Sequence, residues 1–404
     1  MTDKMISVED ARARILADLR ATPAEIVALA EAWGRVAASD VRARVTQPPR
    51  DVSAMDGYAL RAADGVAGAV LRVAGSAPAG HPWDGTLAPG EALRLFTGSV
   101  IPAGADSILI QENARPDGDR IAVVDTVVAG RHIRRAGQDF STGDVLVAAG
   151  RRIGARDVGL LAAGNHPWVS VHRRPRVAIL ATGDEIALPG EPIPPGGIVS
   201  SNAHALAALV RACGGDPVVL PIAADDRAAI AAAGDAAYGS DLLVTTGGAS
   251  VGEHDLVAEG FGKNLVLNFW KIAMRPGKPL MAGRLGAVPM VGLPGNPVSS
   301  MICAVLFLIP AIERLSGLPG DPPRVTEAVL GAALRANDVR ADHLRCTLHP
   351  GADGLPVATA FESQDSALLR LLARADGLIL RPPHAPALPA GARVPIIRLD
   401  MLGL

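Results

Sequence analysis

The chain has 404 residues, 49% hydrophobic and 20% charged, with a formal net charge of −2. That length predicts two to four domains. The balanced charge, without a basic stripe, argues against a nucleic-acid binder. Cys213, Cys303 and Cys346 lie far apart with no Cys-x-x-Cys, which argues against a disulfide framework or structural zinc and for buried thiols in a reducing cytoplasm.

The segment Met1 to Ser7 lacks the apolar run of a signal peptide. Ser7-Val8-Glu9-Asp10 resembles a capping box and predicts a helix. Thr22-Pro23-Ala24-Glu25, with proline at the first helical position, predicts a second helix that Gly34 ends. From about Arg42 to Ala136 the pattern changes to short β-like runs: Ala69 to Val73, Ala92 to Phe96, Ser107 to Ile110 and Ile121 to Val124. This reads as a small all-β module. A helical segment, Ala155 to Gly164, follows.

Residues 172 to about 319 alternate strands with helices, which predicts a parallel sheet of βαβ units. Ser200-Ser201-Asn202 is placed to cap a helix running to Cys213, and Gly214-Gly215 stops it. Val218 to Leu220 is the next strand, and Asp225-Asp226 opens another helix. The longest apolar stretch, Met301 to Ile312, is shorter than the ~20 residues of a membrane span and reads as part of a buried helix, Val298 to Leu315. Gly317 to Pro323 is a breaker cluster suited to a linker. Short strands return at Val325–Leu330, Leu344–Leu348, Pro356–Ala360, Leu378–Leu380 and Val394–Leu399, a second β module.

Three small-residue loops follow apolar runs in the middle of the chain: Thr182-Gly183-Asp184-Glu185, Thr245 to Gly252, and Gly292-Leu293-Pro294-Gly295-Asn296-Pro297. Ligands of open α/β sheets bind beyond the carboxyl ends of the strands, so the three loops predict one converging site. Asp184 and Glu185 suit Mg²⁺ beside a phosphate, or a helix N-cap. Asp225-Asp226 carries the same two readings. Gly247 to Gly252 offers backbone N–H groups and the Ser250 hydroxyl to an anion, but no Gly-Lys-Ser/Thr follows as in a Walker loop. Lys271, Arg275 and Lys278 lie in a proline-constrained loop, Trp270 to Pro279. They are either a solvated face or an anion site, and their nearness to the third motif favours the anion. Pro294 and Pro297 stiffen that motif, and Gly295 allows a positive φ between them. Ser53 to Ala59 and Thr97 to Asp106 are candidate functional loops in the β region. The histidines form no metal-binding pattern.

Together these motifs resemble the molybdopterin molybdenumtransferase family of molybdenum-cofactor biosynthesis, which includes the E domain of gephyrin. The resemblance rests, in chain order, on Ser-Ala-Met-Asp-Gly-Tyr-Ala at 53–59, Thr-Gly-Ser at 97–99 with Ile-Pro-Ala-Gly-Ala-Asp at 101–106, Thr-Gly-Asp-Glu at 182–185, Thr-Thr-Gly-Gly-Ala-Ser-Val-Gly at 245–252, the block 270–279, and Leu-Pro-Gly-Asn-Pro at 293–297. It implies an α/β multidomain chain in an elongated homodimer. Residues 1–42 plus 137–171 would form a helical linker and dimerisation domain, and 43–136 an inserted β module. Residues 172–319 would be a central, doubly wound molybdopterin-binding domain, and 320–404 a C-terminal β-barrel.

The implied reaction is insertion of molybdate into adenylated molybdopterin with release of AMP, with Mg²⁺ as cofactor held by Asp225 and Glu185. Lys271, Arg275 and Lys278 would offset the charge of the oxyanion or pterin phosphate. Thr182, Gly183, Asp184, Gly247, Gly248, Ser250, Gly252, Pro294, Gly295, Asn296 and Pro297 would line the molybdopterin site. Asp56 and Thr97 match positions associated with activity and would arrive from the partner subunit. Asp139 and Asp255 match acidic family positions, and Arg345 with Ser366 would sit near the oxyanion.

Two departures stand out: Arg275 where lysine is common, and Ser363-Gln364-Asp365-Ser366 in place of a glycine-rich segment. The alternatives are a molybdopterin adenylyltransferase and a non-enzymatic carrier or scaffold. Candidate protein partners are the adenylating enzyme and molybdoenzyme chaperones; neither nucleic acid nor membrane is expected, and the location expected is cytoplasmic. The sequence leaves open molybdate against tungstate, and Asp225 against Asp226 as metal ligand.

Overall fold

The computed structural model describes residues 5–247, 256–351 and 354–402. Ser7 forms the N-cap half of the expected capping box: its hydroxyl accepts from the Asp10 backbone N–H at 3.0 Å and starts the helix Val8–Ala17. Val8, Ala11 and Ile15 are buried against the α/β domain, in one core with Val177, Leu206 and Phe307.

The second N-terminal helix does not exist. Ala24–Ala28 is a strand, antiparallel to Trp168–His172, followed by a single 3-10 turn, Leu29–Glu31. Helix-forming residues here are overridden by pairing with a distant segment. Glu25, expected in the first turn of that helix, instead pairs with the buried guanidinium of Arg35. Gly34 makes a turn at φ +75 rather than a helix end. Ala155–Ala163 is helical as expected.

The β region forms a six-stranded sheet. Its order is Ser107–Ile110, Gly57–Leu60, Glu91–Leu95, Val70–Ala77, Arg120–Val123 and Ala114–Asp117. The C-terminal strands close on themselves. Ala341–His349, Val357–Ala360, Val325–Leu330, Arg393–Arg398 and Gly377–Arg381 pair in that order, and Gly377–Arg381 returns to Ala341–His349, making a five-stranded barrel.

The central sheet runs Asp216–Val219, Arg176–Ala181, Leu242–Thr246, Val288–Leu293, Met281–Leu285 and Leu265–Phe269. The first four strands are parallel. The last two are antiparallel, which corrects the expectation of a purely parallel sheet. The reason is local: only Gly286 and Ala287 join Met281–Leu285 to Val288–Leu293, too short for a parallel crossover.

Alternate residues of Arg176–Ala181 enter opposite cores. Val177 and Ile179 meet the helix Asn202–Ala212, whereas Ala178 and Leu180 share a cluster with Ile230 and Phe261 of two helices on the other face. The domain is therefore doubly wound. After Arg176–Ala181 the chain moves outward to Asp216–Val219 and then back across to Leu242–Thr246. The topological switch point thus lies between the strands that end at Ala181 and Thr246.

Among the described residues one helix, Pro297–Leu315, is long and apolar enough to cross a membrane, and it is mostly buried in the core.

Candidate active site

Parallel register sets the three loops side by side. Ala181 lies opposite Thr246, and Thr246 opposite Leu293, so all three motifs leave the sheet at the same level. Gly247, at φ +93, crosses so close to the first loop that a Cβ there would lie 2.5 Å from the Thr182 carbonyl oxygen. Only glycine fits both the φ and the gap. A Cβ on Gly295 would meet the Gly247 Cα at 3.5 Å, so the third loop touches the second.

Asn202 ties the second and third loops together. Its Nδ2 donates to Thr246 Oγ1 at 2.7 Å and to the Gly295 carbonyl at 2.7 Å. Sequence reading gave Asn202 no role beyond helix capping, yet it is the first residue of Asn202–Ala212 and Ser201 makes no side-chain cap there. No local signal could have found it, because its partners lie 44 and 93 residues away. The hydroxyls of Thr182 and Thr245 are buried without a hydrogen-bond partner among the described residues. An unpaired buried hydroxyl costs about 1–3 kcal/mol, so at Thr182, where the loops meet, a ligand acceptor would relieve that cost. Gly248, Ser250, Gly252 and Asp255 lie outside the described residues.

The adjacent acidic residues separate by role. Asp226 accepts from the Ala229 backbone N–H at 2.8 Å and caps the helix Arg227–Ala236. Asp225 instead meets the first motif: its backbone N–H donates to Asp184 Oδ1 at 3.0 Å. Partial burial pushes the Asp225 carboxyl up, and the charges of Asp184 and Glu185 push the same way. A hydrogen bond with the Asp184 backbone works against them. Glu185 folds back toward Gly183, where a Cβ would come within 2.5 Å of its carboxylate.

Among the described residues no group of three or more His, Cys, Asp or Glu is arranged to hold a metal alone. A hard cation that uses one or two carboxylates and completes its shell with substrate phosphate and water does not need such a group. Asp225 with one charge-coupled neighbour, Asp184 or Glu185, fits that donor set.

Opposite in character is the basic loop. The Ile272 backbone N–H donates to the Lys278 carbonyl at 3.1 Å, which draws the two ends of the loop together. Lys271 is half-buried and Lys278 exposed. Arg275 is held by the barrel: Nε donates to Asp342 Oδ1 at 2.8 Å and Nη2 to Asp342 Oδ2 at 2.6 Å. Further contacts reach Asp338 at 3.2 Å and Asn337 at 3.3 Å. Asp342 raises the Arg275 pKa above its ordinary value, chiefly through the side-chain hydrogen bond.

The barrel also closes on the third motif. Asn296 Nδ2 donates to Ser366 Oγ at 3.0 Å, and the Val298 backbone N–H to the Ser366 carbonyl at 3.1 Å. Pro297 begins the long helix, with Pro294 in the turn before it. Arg345 is 1% exposed, and its guanidinium donates to the carbonyls of Asp365 at 2.9 Å and Leu368 at 3.2 Å. Burial lowers its pKa. It thus lies beneath the Ser366 loop. The unexpected Asp365 carboxylate accepts from the Ala367 backbone N–H at 2.8 Å, so it shapes that loop locally.

In the inserted module, Asp56 Oδ1 accepts from the Thr97 backbone N–H at 2.7 Å and from its hydroxyl at 3.0 Å. These two bonds, the backbone one first, hold the Asp56 pKa below its ordinary value. The structure therefore brings Asp56 and Thr97 together. Asp139 is exposed, with its backbone N–H on the Gln47 carbonyl at 3.1 Å. None of the three is hydrogen-bonded to the strand-end loops among the described residues.

A doubly wound α/β domain with its ligand loops at the switch point, flanked by an inserted sheet and a small barrel, defines a class of multidomain ligand-binding proteins. Family models narrow that class. The MoeA N-terminal region (domain I and II) matches residues 6–164, a probable molybdopterin binding domain 178–314, and the MoeA C-terminal region (domain IV) 327–399. The chain is 36% identical to molybdopterin molybdenumtransferase 2 of Mycobacterium tuberculosis, over 97% of this chain and 99% of that protein. It is 34% identical to the molybdopterin molybdenumtransferase of a Nostoc species, over 93% and 89%. A crystal structure of the molybdopterin biosynthesis MoeA protein from Pyrococcus horikosii superposes with a TM-score of 0.86 at 29% identity, covering 98% of this chain and 99% of that one. The chain belongs to the molybdopterin molybdenumtransferase family.

Proposed function

We propose that this protein inserts molybdate into adenylated molybdopterin, releasing AMP. One observation carries the reading: the crowded carboxylates of Asp184, Glu185 and Asp225 stand beside the cradle of Thr182, Gly247 and Gly295 at the switch point. Like charges held together beside a backbone cradle suit a phosphate bridged by a divalent cation. Asp225 and Glu185 would hold Mg²⁺, with Asp184 braced against Asp225. When bound, Mg²⁺ supplies Lewis-acid polarisation of the phosphoryl oxygens.

The chain's own groups do the rest. The Thr182 hydroxyl and the Gly247 and Gly295 backbones orient the pterin phosphate. Asn296 and Ser366 close the third loop against the barrel. Lys271 and Lys278 of the basic loop supply positive charge for the incoming oxyanion, and Arg275 ties that loop to the barrel. Asp56 and Thr97, far along the chain from these loops, act on the site from the partner subunit of a homodimer, with Asp139 beside the same module.

The test is AMP release from adenylated molybdopterin with Mg²⁺, with and without molybdate. Molybdate-dependent release that Asp225→Ala abolishes supports the reading. Bound but uncleaved substrate under every condition would replace it with a carrier role. Adenylate formation from ATP without molybdate would replace it with the adenylating step.

A further inference from the structure

From sequence the loop is either a solvated face or an anion site with three cations, with the anion favoured. The structure gives Arg275 partners of its own in the barrel. Arg275 has all three guanidinium nitrogens engaged by the barrel: Nε and Nη2 on Asp342, Nη1 on Asp338, and Nη2 also on Asn337. The Asp342 side chain is only 7% exposed, against 46% for Arg275, so the shared fork lies at the buried end of the pair. Around it, Arg275 and Arg340 face Asp342 and Asp338, two charges of each sign. That neighbourhood offers a dianion no net attraction. An oxyanion would also have to displace a bidentate carboxylate, the strongest kind of arginine partner.

Backbone contacts point the same way. Met274–Arg275 pairs in parallel with Ala341–Asp342, and the Ala341 N–H donates to the Ala273 carbonyl at 2.9 Å. Ile272 and Met274 are fully buried in the α/β core. The tip of the loop is therefore fixed to the barrel, while Lys271 and Lys278 lie at its joined base.

We infer that Arg275 is a positioning residue for oxyanion binding: it clamps the basic loop to Asp342 of the barrel, and Lys271 and Lys278 supply the charge that meets the anion. This rests on the proposed molybdate-inserting activity. Lysine carries the same charge but no planar fork, so Arg275→Lys is not conservative at a clamp.

The test is a double-mutant cycle on the full-length protein with Arg275→Lys, Asp342→Asn and the pair, reading the molybdate KM and kcat of AMP release. A clamp predicts that each single variant raises KM by roughly tenfold and that the pair is no worse than either. Direct contact between Arg275 and the oxyanion predicts the reverse for Asp342→Asn: freeing the guanidinium lowers KM, which would overturn the inference. If Asp342→Asn fails to fold, the exposed Asp338→Asn decides by sign. A small rise in KM supports the clamp, and a fall overturns it. If the wild-type protein shows no turnover, the proposed function fails separately. Hydrogen exchange over residues 270–279 then decides the clamp: faster exchange in Arg275→Lys supports it, and unchanged exchange overturns it.

Discussion

The carboxylates at the switch point and the arginine of the basic loop are charged clusters of opposite design. Asp225 is partly buried beside Asp184 and Glu185, and burial first, then their like charges, raises its pKa. Arg275 is surrounded by opposite charge, and the consequence is a raised arginine pKa, its charged form stabilised. Uncompensated charge is costly to the fold and marks a place prepared for a ligand; compensated charge marks architecture. The two clusters lie on loops that sequence reading treated alike, and only the identity of their neighbours separates them.

The largest effect expected from this contrast is at Asp225. Asp225→Asn removes one of three crowded charges, so AMP release should fall at least about a hundredfold, while thermal stability should hold or rise. Activity and melting point measured on the same sample decide it. A variant that loses both has an architectural Asp225, and the contrast breaks.

Asn202→Ala comes next. It leaves Thr246 Oγ1 and the Gly295 carbonyl without their amide donor, a loss of about 1–3 kcal/mol in a partly buried setting. The two loops it joins bind rather than react, so KM for adenylated molybdopterin should rise about tenfold with kcat little changed. A fall in kcat at constant KM would place Asn202 elsewhere in the mechanism.

A smaller effect, independent of catalysis, is cation linkage. If the carboxylates hold Mg²⁺, the cation at ten times its dissociation constant should stabilise the protein by about 1.4 kcal/mol. The same addition should leave Asp225→Asn unmoved. Equal shifts in the two proteins, read by thermal melting, would show the cation bound at another place.

Sequence reading went furthest where the determinants were local. The strand end at Ala181, the hydroxyl cap at Ser7 and the positive-φ glycines Gly183 and Gly247 follow from residues within a turn of one another, whereas Thr245 and Thr246, read as loop, extend their strand, and Gly295 does not adopt the positive φ expected of it. It failed where a partner was distant. Ala24–Ala28 has helix-forming composition, and its strand partner begins at Trp168. Asn202 and Arg275 each find their main contacts more than 40 residues away. Residue patterns alone marked the two β modules and the family resemblance made one an insertion and the other a barrel, but neither could show that Arg275, standing for a lysine, would bind Asp342. Asp225 and Asp226 were indistinguishable as adjacent carboxylates; one backbone N–H, that of Ala229, separates them.

The finest test uses pH, and sets Asp225 against Asp56. Asp225 has its pKa raised above the ordinary 3.8 in the folded state, so its contribution favours folding below that value and is lost as pH rises through the raised one. Asp56, lowered by the Thr97 bonds, contributes stability above 3.8 that is lost as pH falls through its lowered value. Replacing each by asparagine should therefore give differences of opposite sign at neutral pH. Asp225→Asn should be the more stable protein relative to wild type, Asp56→Asn the less stable. The Asp225 difference should shrink as pH is lowered toward 4, whereas the Asp56 difference should persist there and shrink only as pH falls below 3.8, read as urea midpoints across the series. Should Asp225→Asn be destabilised at neutral pH, its carboxylate would have a compensating partner within the fold, and the carboxylates at the switch point would belong with the Arg275 clamp as architecture.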